Sequence, residues 1–380
     1  MTVALPGIRP VFVAGGGLHA YQRASGTPYV QLGLTAVRRA LEDAGLAWPS
    51  VESAYVGSAQ VGMAAGPVML RHLGATGLRV VQVENASASG SSAFRQAVVE
   101  VAGGFADVVL AVGVDTPDPR PGGPSKSAVR DLVGRLGTPA AHLALAAEHH
   151  LRQTPATPRQ LALVAVKNHA NAAANPYAQR RRRRTLEEVL ASGTVAGCLT
   201  RLQCAPRGEG AAAVLVVSEE AIGRYGLDRG GCVRVLASAS RTVAGRTGPG
   251  AEVRVTADTA AEAYAQAGVG PRDLDVLELH DAFSVEELVY LEAMGVCAPG
   301  EAGALLERGR FDIGGERAVS PSGGLLGMGH PLGPTGVGQV VEVRRQLLGR
   351  AGARQHPGAR TALAHMVGVG GVCLVHVLGR

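Results

Sequence analysis

The sequence predicts an α/β protein built as two similar halves, and three observations carry that expectation. An apolar run at Val80, Val81 and Val83 reads as a buried strand. Small residues from Ala86 to Ser92 then allow a tight turn, and Ala93, Phe94, Ala97 and Val98 recur at helical spacing. The unbroken apolar run between Asp107 and Asp115 reads as a second strand, covered on both faces. Finally, the order of elements repeats after Cys232, and each half carries a Gly/Ser-rich elbow in a corresponding place. Strands alternating with helices imply a largely parallel sheet with helices on its faces.

In chain order, residues 10–17 read as a first strand running into Gly15-Gly16-Gly17, whose spacing is not that of a dinucleotide-binding fingerprint. Residues 28–45 pattern as an amphipathic helix with Gly45 at its C-cap, and 53–58 as a short strand. The character changes after Asp115. Pro and Gly cluster at 117–124, helical stretches follow at 137–152 and 158–173, and then comes a run of arginines. This segment is expected to form a loop domain over the active-site face. The sheet resumes at 210–218, and the second half offers a helix at 258–267, a strand at 274–279, an elbow and helix at 321–346, and strands at 361–366 and 372–378. The expected division is therefore residues 1–115 and 201–228 as one half, 116–200 as the loop domain and 229–380 as the other half.

With 380 residues, 46% of them apolar, the chain is long enough to bury a large core, and its 53 glycines read as tight turns and close backbone approaches rather than disorder. No apolar run reaches the ~18 residues of a membrane span. There is no charged n-region leading into an apolar core, and Leu378-Gly379-Arg380 is not a peroxisomal address, so the expectation is a cytoplasmic protein. The five cysteines (Cys198, Cys204, Cys232, Cys297, Cys373) have no metal-ligand spacing, and their odd number argues against a full disulfide framework; no metal site is expected. Much of the net charge of +6 is local, in Arg180, Arg181, Arg182, Arg183 and Arg184. That run reads either as a solvated segment before a helix at Thr185-Leu186-Glu187-Glu188, or as a patch for the phosphates of coenzyme A, an acyl-carrier protein or an acidic partner. Nucleic acid fits poorly, because no stacking aromatics accompany the arginines.

The elbow from Ala86 to Ser92 lies between a strand end and a helix N-terminus, where unpaired N–H groups and the helix dipole favour a nucleophile or an anion. In the second half, His280-Asp281 closes a strand at its C-terminal end, the usual place for functional groups in open α/β sheets. The run Ser320 to Gly333 lets the backbone approach a ligand, and the rigid Pro331 holds His330. His365 to Gly371 (with Val367, Gly368 and Gly370) reads as a glycine loop between the last two strands. An isolated histidine is more often structural than catalytic. Three of them at strand ends or glycine turns, with a serine elbow upstream, favour chemistry.

These blocks resemble the thiolase superfamily. Asn85-Ala86-Ser87-Ala88-Ser89-Gly90 is similar to its nucleophile motif Asn-Ala-Cys-Ala-Ser-Gly, and His280-Asp281-Ala282-Phe283 to the His-Asp-Cys-Phe of the branch associated with sterol carrier protein. The run from Ser322 to Gly333 is the most specific match, joined by Lys167-Asn168-His169, Asn175-Pro176-Tyr177 and Gly210 to Ala213. The resemblance implies two βαβαβαββ halves in an αβαβα sandwich with an inserted loop domain, assembled as a homodimer or a dimer of dimers. It implies that the residue at 87 takes an acyl group from a coenzyme A thioester or a phosphopantetheine carrier, with no covalently bound cofactor. His330 then helps deprotonate the nucleophile and, with a water held near His280, forms one oxyanion hole. The N–H at Ser87 with one from the Val367–Gly371 loop forms another.

The sequence departs from the family twice. Serine stands at the nucleophile position, and Ala282 at that of the second cysteine; His365 occupies the other place where a second cysteine is known, and Cys373 lies inside the last strand. An ordinary Claisen thiolase is therefore disfavoured. A serine needs a base that removes its proton as it attacks, and His330 is placed for that. The expectation is an acyltransferase of specialised or lipid metabolism that moves an acyl group to a small-molecule acceptor through acyl-Ser87. Three other readings stay open. One is a cysteine-to-serine replacement in an active enzyme. Another is a thiolase-like aldolase cleaving a β-hydroxyacyl-CoA with an OB-fold partner subunit, with Tyr177 or His280 moving the proton. The last is a non-catalytic scaffold subunit.

Overall fold

The computed structural model describes residues 9–117, 138–245 and 250–380; the Pro/Gly cluster lies, from position 118 on, outside them. Ten strands form one sheet: β1 (Val11–Gln22), β2 (Ser53–Gly57), β3 (Arg79–Val83), β4 (Val108–Asp115), then, beyond the small hairpin of β5 (Thr194–Ala196) and β6 (Leu199–Thr200), β7 (Glu209–Ser218), β8 (Val233–Thr242), β9 (Val276–Glu278), β10 (Ala318–Val319), β11 (Thr361–Gly368) and β12 (Val372–Gly379). Their spatial order is β10-β9-β11-β12-β8-β1-β7-β4-β2-β3. Read outward from the centre, β1-β7-β4-β2-β3 and β8-β12-β11-β9-β10 are the same arrangement made twice. The two meet where Val11–Val13 of β1 run antiparallel to Val233–Val235 of β8.

The helices are α1 (Tyr29–Ala44), α2 (Ala65–Leu70), α3 (Ser89–Ala102), α4 (Pro139–Gln153), α5 (Pro158–Ala173), α6 (Leu186–Leu190), α7 (Glu219–Arg224), α8 (Ala251–Ala267), α9 (Ser284–Ala293), α10 (Ala302–Glu307), α11 (Gly324–Met328) and α12 (Leu332–Leu347). Three large apolar clusters hold the five layers together, the middle one packing on both sides of the central helices. Val37 and Leu41 of α1 pack on Leu110 and Leu215 of the first half-sheet. Phe94 and Val101 of α3 and Val337 and Val340 of α12 fill the middle, between Val109 and Val214 on one side and Val276 and Ala362 on the other. Val255 and Ala263 of α8 and Leu288 of α9 cover Leu277, Leu363 and Val375, in one cluster with Leu161 and Val189 of the segment between β4 and β7. This is the expected αβαβα sandwich.

At the heart of the middle layer α3 and α12 cross without side chains between them. A Cβ on Gly90 would overlap the Gly333 carbonyl oxygen, and one on Gly336 would lie 2.5 Å from the Ser91 nitrogen. The crossing is tied to the sheet by the buried Asp115 at the end of β4. Its carboxylate accepts Gly333 N–H (2.6 Å), Gln60 N–H (2.7 Å) and the Ser58 hydroxyl (2.8 Å).

The structure departs from the sequence reading in four places. The sheet is mixed rather than largely parallel: β2, β3 and β4 are parallel, as are β9, β10 and β11, but β7 and β12 run antiparallel to both neighbours. The Val80–Val83 run is not a buried strand; among the described residues β3 is a sheet edge, paired only with β2, and Val81 is 47% exposed. The final glycine loop is shorter than expected because pairing of β11 with β12 continues to Gly368 and Val372, which leaves only residues 369–371 to turn and puts His365 inside the strand. Helix α8 begins at Ala251 rather than 258, since its first two turns already bury Ala251 and Val255.

Candidate active site

Each half ends its outermost strand in a strained elbow. Ala86 follows β3 with φ 50° and Ser320 follows β10 with φ 51°, a left-handed backbone that costs a non-glycine residue about 1–2 kcal/mol. Hydrogen bonds hold the first elbow in place. Ser89 Oγ accepts from Asn85 N–H (2.9 Å) and donates to the Ala86 carbonyl (2.6 Å), while Asn85 Nδ2 donates to Ser92 Oγ (2.8 Å). Ser87 is thereby presented just ahead of the 14-residue helix α3, 7% exposed. The turn after β11 sits against this elbow: a Cβ on Gly368 would overlap the Asn85 carbonyl oxygen and lie 3.2 Å from Ala88 Cβ.

His330 comes from the other half, just before α12, with its N–H on the Pro206 carbonyl (3.2 Å). Its Nε2 lies 3.0 Å from Ser87 Oγ and its Nδ1 3.0 Å from Thr335 Oγ1. Thr335 donates its own proton to the Pro331 carbonyl (2.6 Å). The threonine oxygen is therefore left as an acceptor, which assigns the imidazole proton to Nδ1 and leaves Nε2 free to accept from the serine. Burial pushes His330 down to about 4, so the neutral ring prevails at pH 7. Thr335 is a residue of the site that the sequence reading missed; its position in the first turn of the helix that His330 leads into was the available signal.

His280 stacks edge-on against His330, ring centroids 5.3 Å apart. Its backbone is fixed from both sides through Asp281, whose carboxylate accepts Leu325 N–H (2.6 Å) and Asn168 Nδ2 (2.7 Å). Asn168 in turn donates to Glu287, which pairs with buried Lys167 (3.1 Å), so α5 is riveted beneath the His280 loop. Desolvation, reinforced by His330 and His365, pushes His280 well below the usual imidazole range. Its Nδ1 is buried with no hydrogen-bond partner among the described residues.

Ser87, His330, His280 and Gly368 are thus brought together. Val367 and His365 lie in β11; His365 is fully buried, 3.1 Å from Thr256 Oγ1 and edge-on to Tyr290 at 4.8 Å, with burial pushing it to about 3. Gly370 is in the exposed turn. Tyr177 goes elsewhere: its ring is covered by Arg345 (4.6 Å) and Arg39 (6.0 Å), in a cleft lined by Gly16, Asp43 and Arg350.

The arginine run does not act as one block. Arg180 turns inward, donating to the carbonyls of Cys204 (3.0 Å) and Leu326 (3.2 Å), and burial lowers it to about 10. Arg182 and Arg184 reach Glu188 (2.6 and 3.5 Å), the residue that closes the capping box of α6 with Thr185. Arg181 and Arg183 are exposed, with no ion pair among the described residues. The five cysteines are free thiols. Among the described residues no group of three or more acidic, His or Cys side chains is placed to hold a metal ion, and no helix is long and apolar enough to cross a membrane.

Comparison with known proteins gives the class directly. Residues 11–185 match the family described as thiolase, N-terminal domain, and residues 237–380 the thiolase C-terminal domain-like family, so the chain belongs to the thiolases. Within that class it is similar to sterol carrier protein 2 of Rattus norvegicus, 35% identical over 393 residues that cover 97% of this chain and 72% of the relative. It is also 35% identical to the benzoylsuccinyl-CoA thiolase subunit BbsB of Thauera aromatica, over 95% of each chain. Among solved structures, a chain of the Ltp2-ChsH2(DUF35) aldolase superimposes with a TM-score of 0.84 at 26% identity, covering 99% of both.

Proposed function

We propose that this thiolase-family chain is an acyltransferase that takes an acyl group from a coenzyme A or phosphopantetheine thioester onto Ser87 and passes it to a small-molecule acceptor. The observation that carries the reading is the pair Ser87 Oγ–His330 Nε2 at 3.0 Å with the imidazole tautomer set by Thr335. A serine hydroxyl becomes a competent nucleophile when an adjacent base is itself oriented by a third group. As Ser87 Oγ attacks the thioester carbonyl, His330 Nε2 takes its proton and the oxygen of the carbonyl becomes an oxyanion. The Ser87 N–H and the turn after Gly368 are the donors for that oxyanion, each worth a few kcal/mol in the transition state. His280, beside His330, faces the second hole. Exposed Arg181 and Arg183 are the members of the arginine run available for carrier phosphates.

Intact-protein mass spectrometry with short acyl-CoAs tests the reading. We expect a mass gain that is absent in Ser87→Ala and forms at least about tenfold faster in Ser87→Cys, because the thiolate is accessible near neutral pH. No gain in any of the three proteins overturns it. The aldolase similarity then supplies the second reading, retro-aldol cleavage of a β-hydroxyacyl-CoA with an OB-fold partner, for which the assay is cleavage with the co-purified small subunit.

The open edge of β3, with Val81 47% exposed, supports assembly with a second copy of the chain. Light scattering is expected to give a dimer that Val81→Lys dissociates; a native monomer, or a dimer that the substitution leaves intact, overturns this assignment.

A further inference from the structure

The glycine run at 15–17 and Tyr177 take no part in the Ser87 site, yet the fold brings Gly16, Gly17 and the Tyr177 ring to one cleft. β1 pairs with β8 only from Val11 to Val13, so the half-sheets part at Ala14. Beyond that point backbone groups of β1 bond to side chains. Arg344 of α12 donates to the Ala14 carbonyl (2.7 Å), Asp43 of α1 accepts Gly16 N–H (2.9 Å), and Arg39 of α1 donates to the Leu18 carbonyl (2.5 Å). Glycine lets α1 lie this close: a Cβ on Gly17 would overlap the Ala36 carbonyl oxygen. The cleft that α1 and α12 leave here has a volume of about 420 Å³, within the range of small-ligand sites.

The cleft is cationic. The guanidinium groups of Arg39, Arg344, Arg345 and Arg350 line it against two carboxylates, Glu42 and Asp43. Asp43 is already shared, since it accepts Gly16 N–H, pairs with Arg344 and lies 3.7 Å from Arg350. Arg39, Arg345 and Glu42 have no ion pair among the described residues. Both arginines are gathered on one ring instead: the Tyr177 centroid is 4.6 Å from Arg345 Cζ and 6.0 Å from Arg39 Cζ. The face of an aromatic ring attracts a cation, but it does not cancel the repulsion between two of them; a polyanion does.

We propose that this cleft binds a pyrophosphate group, free or as part of a nucleoside diphosphate, at a site separate from that of the thioester. Guanidinium forks take phosphate oxygens two at a time, and Arg39, Arg345 and Arg350 line the cleft from α1, from α12 and from the segment after it. A single carboxylate would satisfy one fork and leave the others. Guanidinium groups cover the Tyr177 ring, so recognition rests on the phosphates rather than on a stacked base. Arg345 is in the last turn of α12 and His330 precedes the first; at about 1.5 Å per residue those turns lie roughly 20 Å apart. The inference does not depend on the acyl-Ser87 reading.

Calorimetric titration and thermal-shift measurements at low ionic strength, where screening is weak, test this with inorganic pyrophosphate and, separately, ADP. We expect both probes to bind with similar affinity. Arg345→Gln and Arg39→Gln should each weaken both about tenfold. Glu42→Gln removes a carboxylate from the cleft and should tighten binding severalfold, a gain that misfolding cannot imitate. Replacing Arg181 and Arg183 together by glutamine should leave the pyrophosphate affinity as it is. Absence of binding by both methods in the wild type overturns the inference. Binding of ADP without pyrophosphate does so too, because recognition would then lie with the base. Affinity that is lost with Arg181 and Arg183 but kept in Arg345→Gln and Arg39→Gln would place the anion at the thioester site and likewise overturn it.

Discussion

Replacing His330 with alanine is expected to slow acylation of Ser87 by about three orders of magnitude while the protein stays folded. The effect is large because no other base among the described residues is hydrogen-bonded to the hydroxyl. Ser87 Oγ has the imidazole Nε2 at 3.0 Å, and His280 stands behind that ring rather than beside the serine. The same experiment carries a pH signature. Burial places His330 at about 4, and its working form is the neutral one, so wild-type acylation should hold at neutral pH and be lost as pH falls through that value. The residual rate of His330→Ala should lack this acid limb. The time course of mass gain, with circular dichroism as the check on folding, decides the matter; a loss smaller than about tenfold would remove His330 from the role of base.

Gly90→Ala is expected to be a severely damaging addition of a single methyl group, lowering stability by about 3 kcal/mol. The added carbon has no flexible side chain to displace. It meets the backbone carbonyl of Gly333, which the Asp115 carboxylate holds through the Gly333 N–H at 2.6 Å. Relief requires α3 and α12 to separate. Ser87 and His330 each lie three residues before the two glycines in contact, so the same separation opens the Ser87–His330 bond. Urea midpoints and acylation rates should therefore fall together. Unchanged stability would mean that the crossing is looser than the structure shows.

The parts legible in the sequence are those with a local cause. Small residues between Asn85 and Ser92 announce the elbow, because only such residues tolerate its close backbone approaches. Gly45 closes α1 in the left-handed conformation at φ 69°, as its place after an amphipathic run requires. Strand partners are non-local, and there the reading failed. Nothing in Val80-Val81-Gln82-Val83 distinguishes an edge strand awaiting a neighbour from a covered one. The strands β7 and β12 run antiparallel to both neighbours, and which strands lie beside them is a fact of connectivity rather than composition. Thr335 escaped notice for a related reason: in sequence it is one polar residue in the first turn of a helix, and only the fold sets its hydroxyl 3.0 Å from His330 Nδ1.

The hydroxyl and the imidazole that meet at the centre of this molecule are supplied by opposite repeats, 243 positions apart along the chain. The site is therefore an instrument that reads the assembly of the whole. Any excursion that lets one repeat drift by an ångström relative to the other disconnects base from nucleophile long before either repeat loses its own core. Inactivation by heat or denaturant should thus run ahead of the spectroscopic transition, and a mild loss of activity in a distant variant is a report on the joint between repeats.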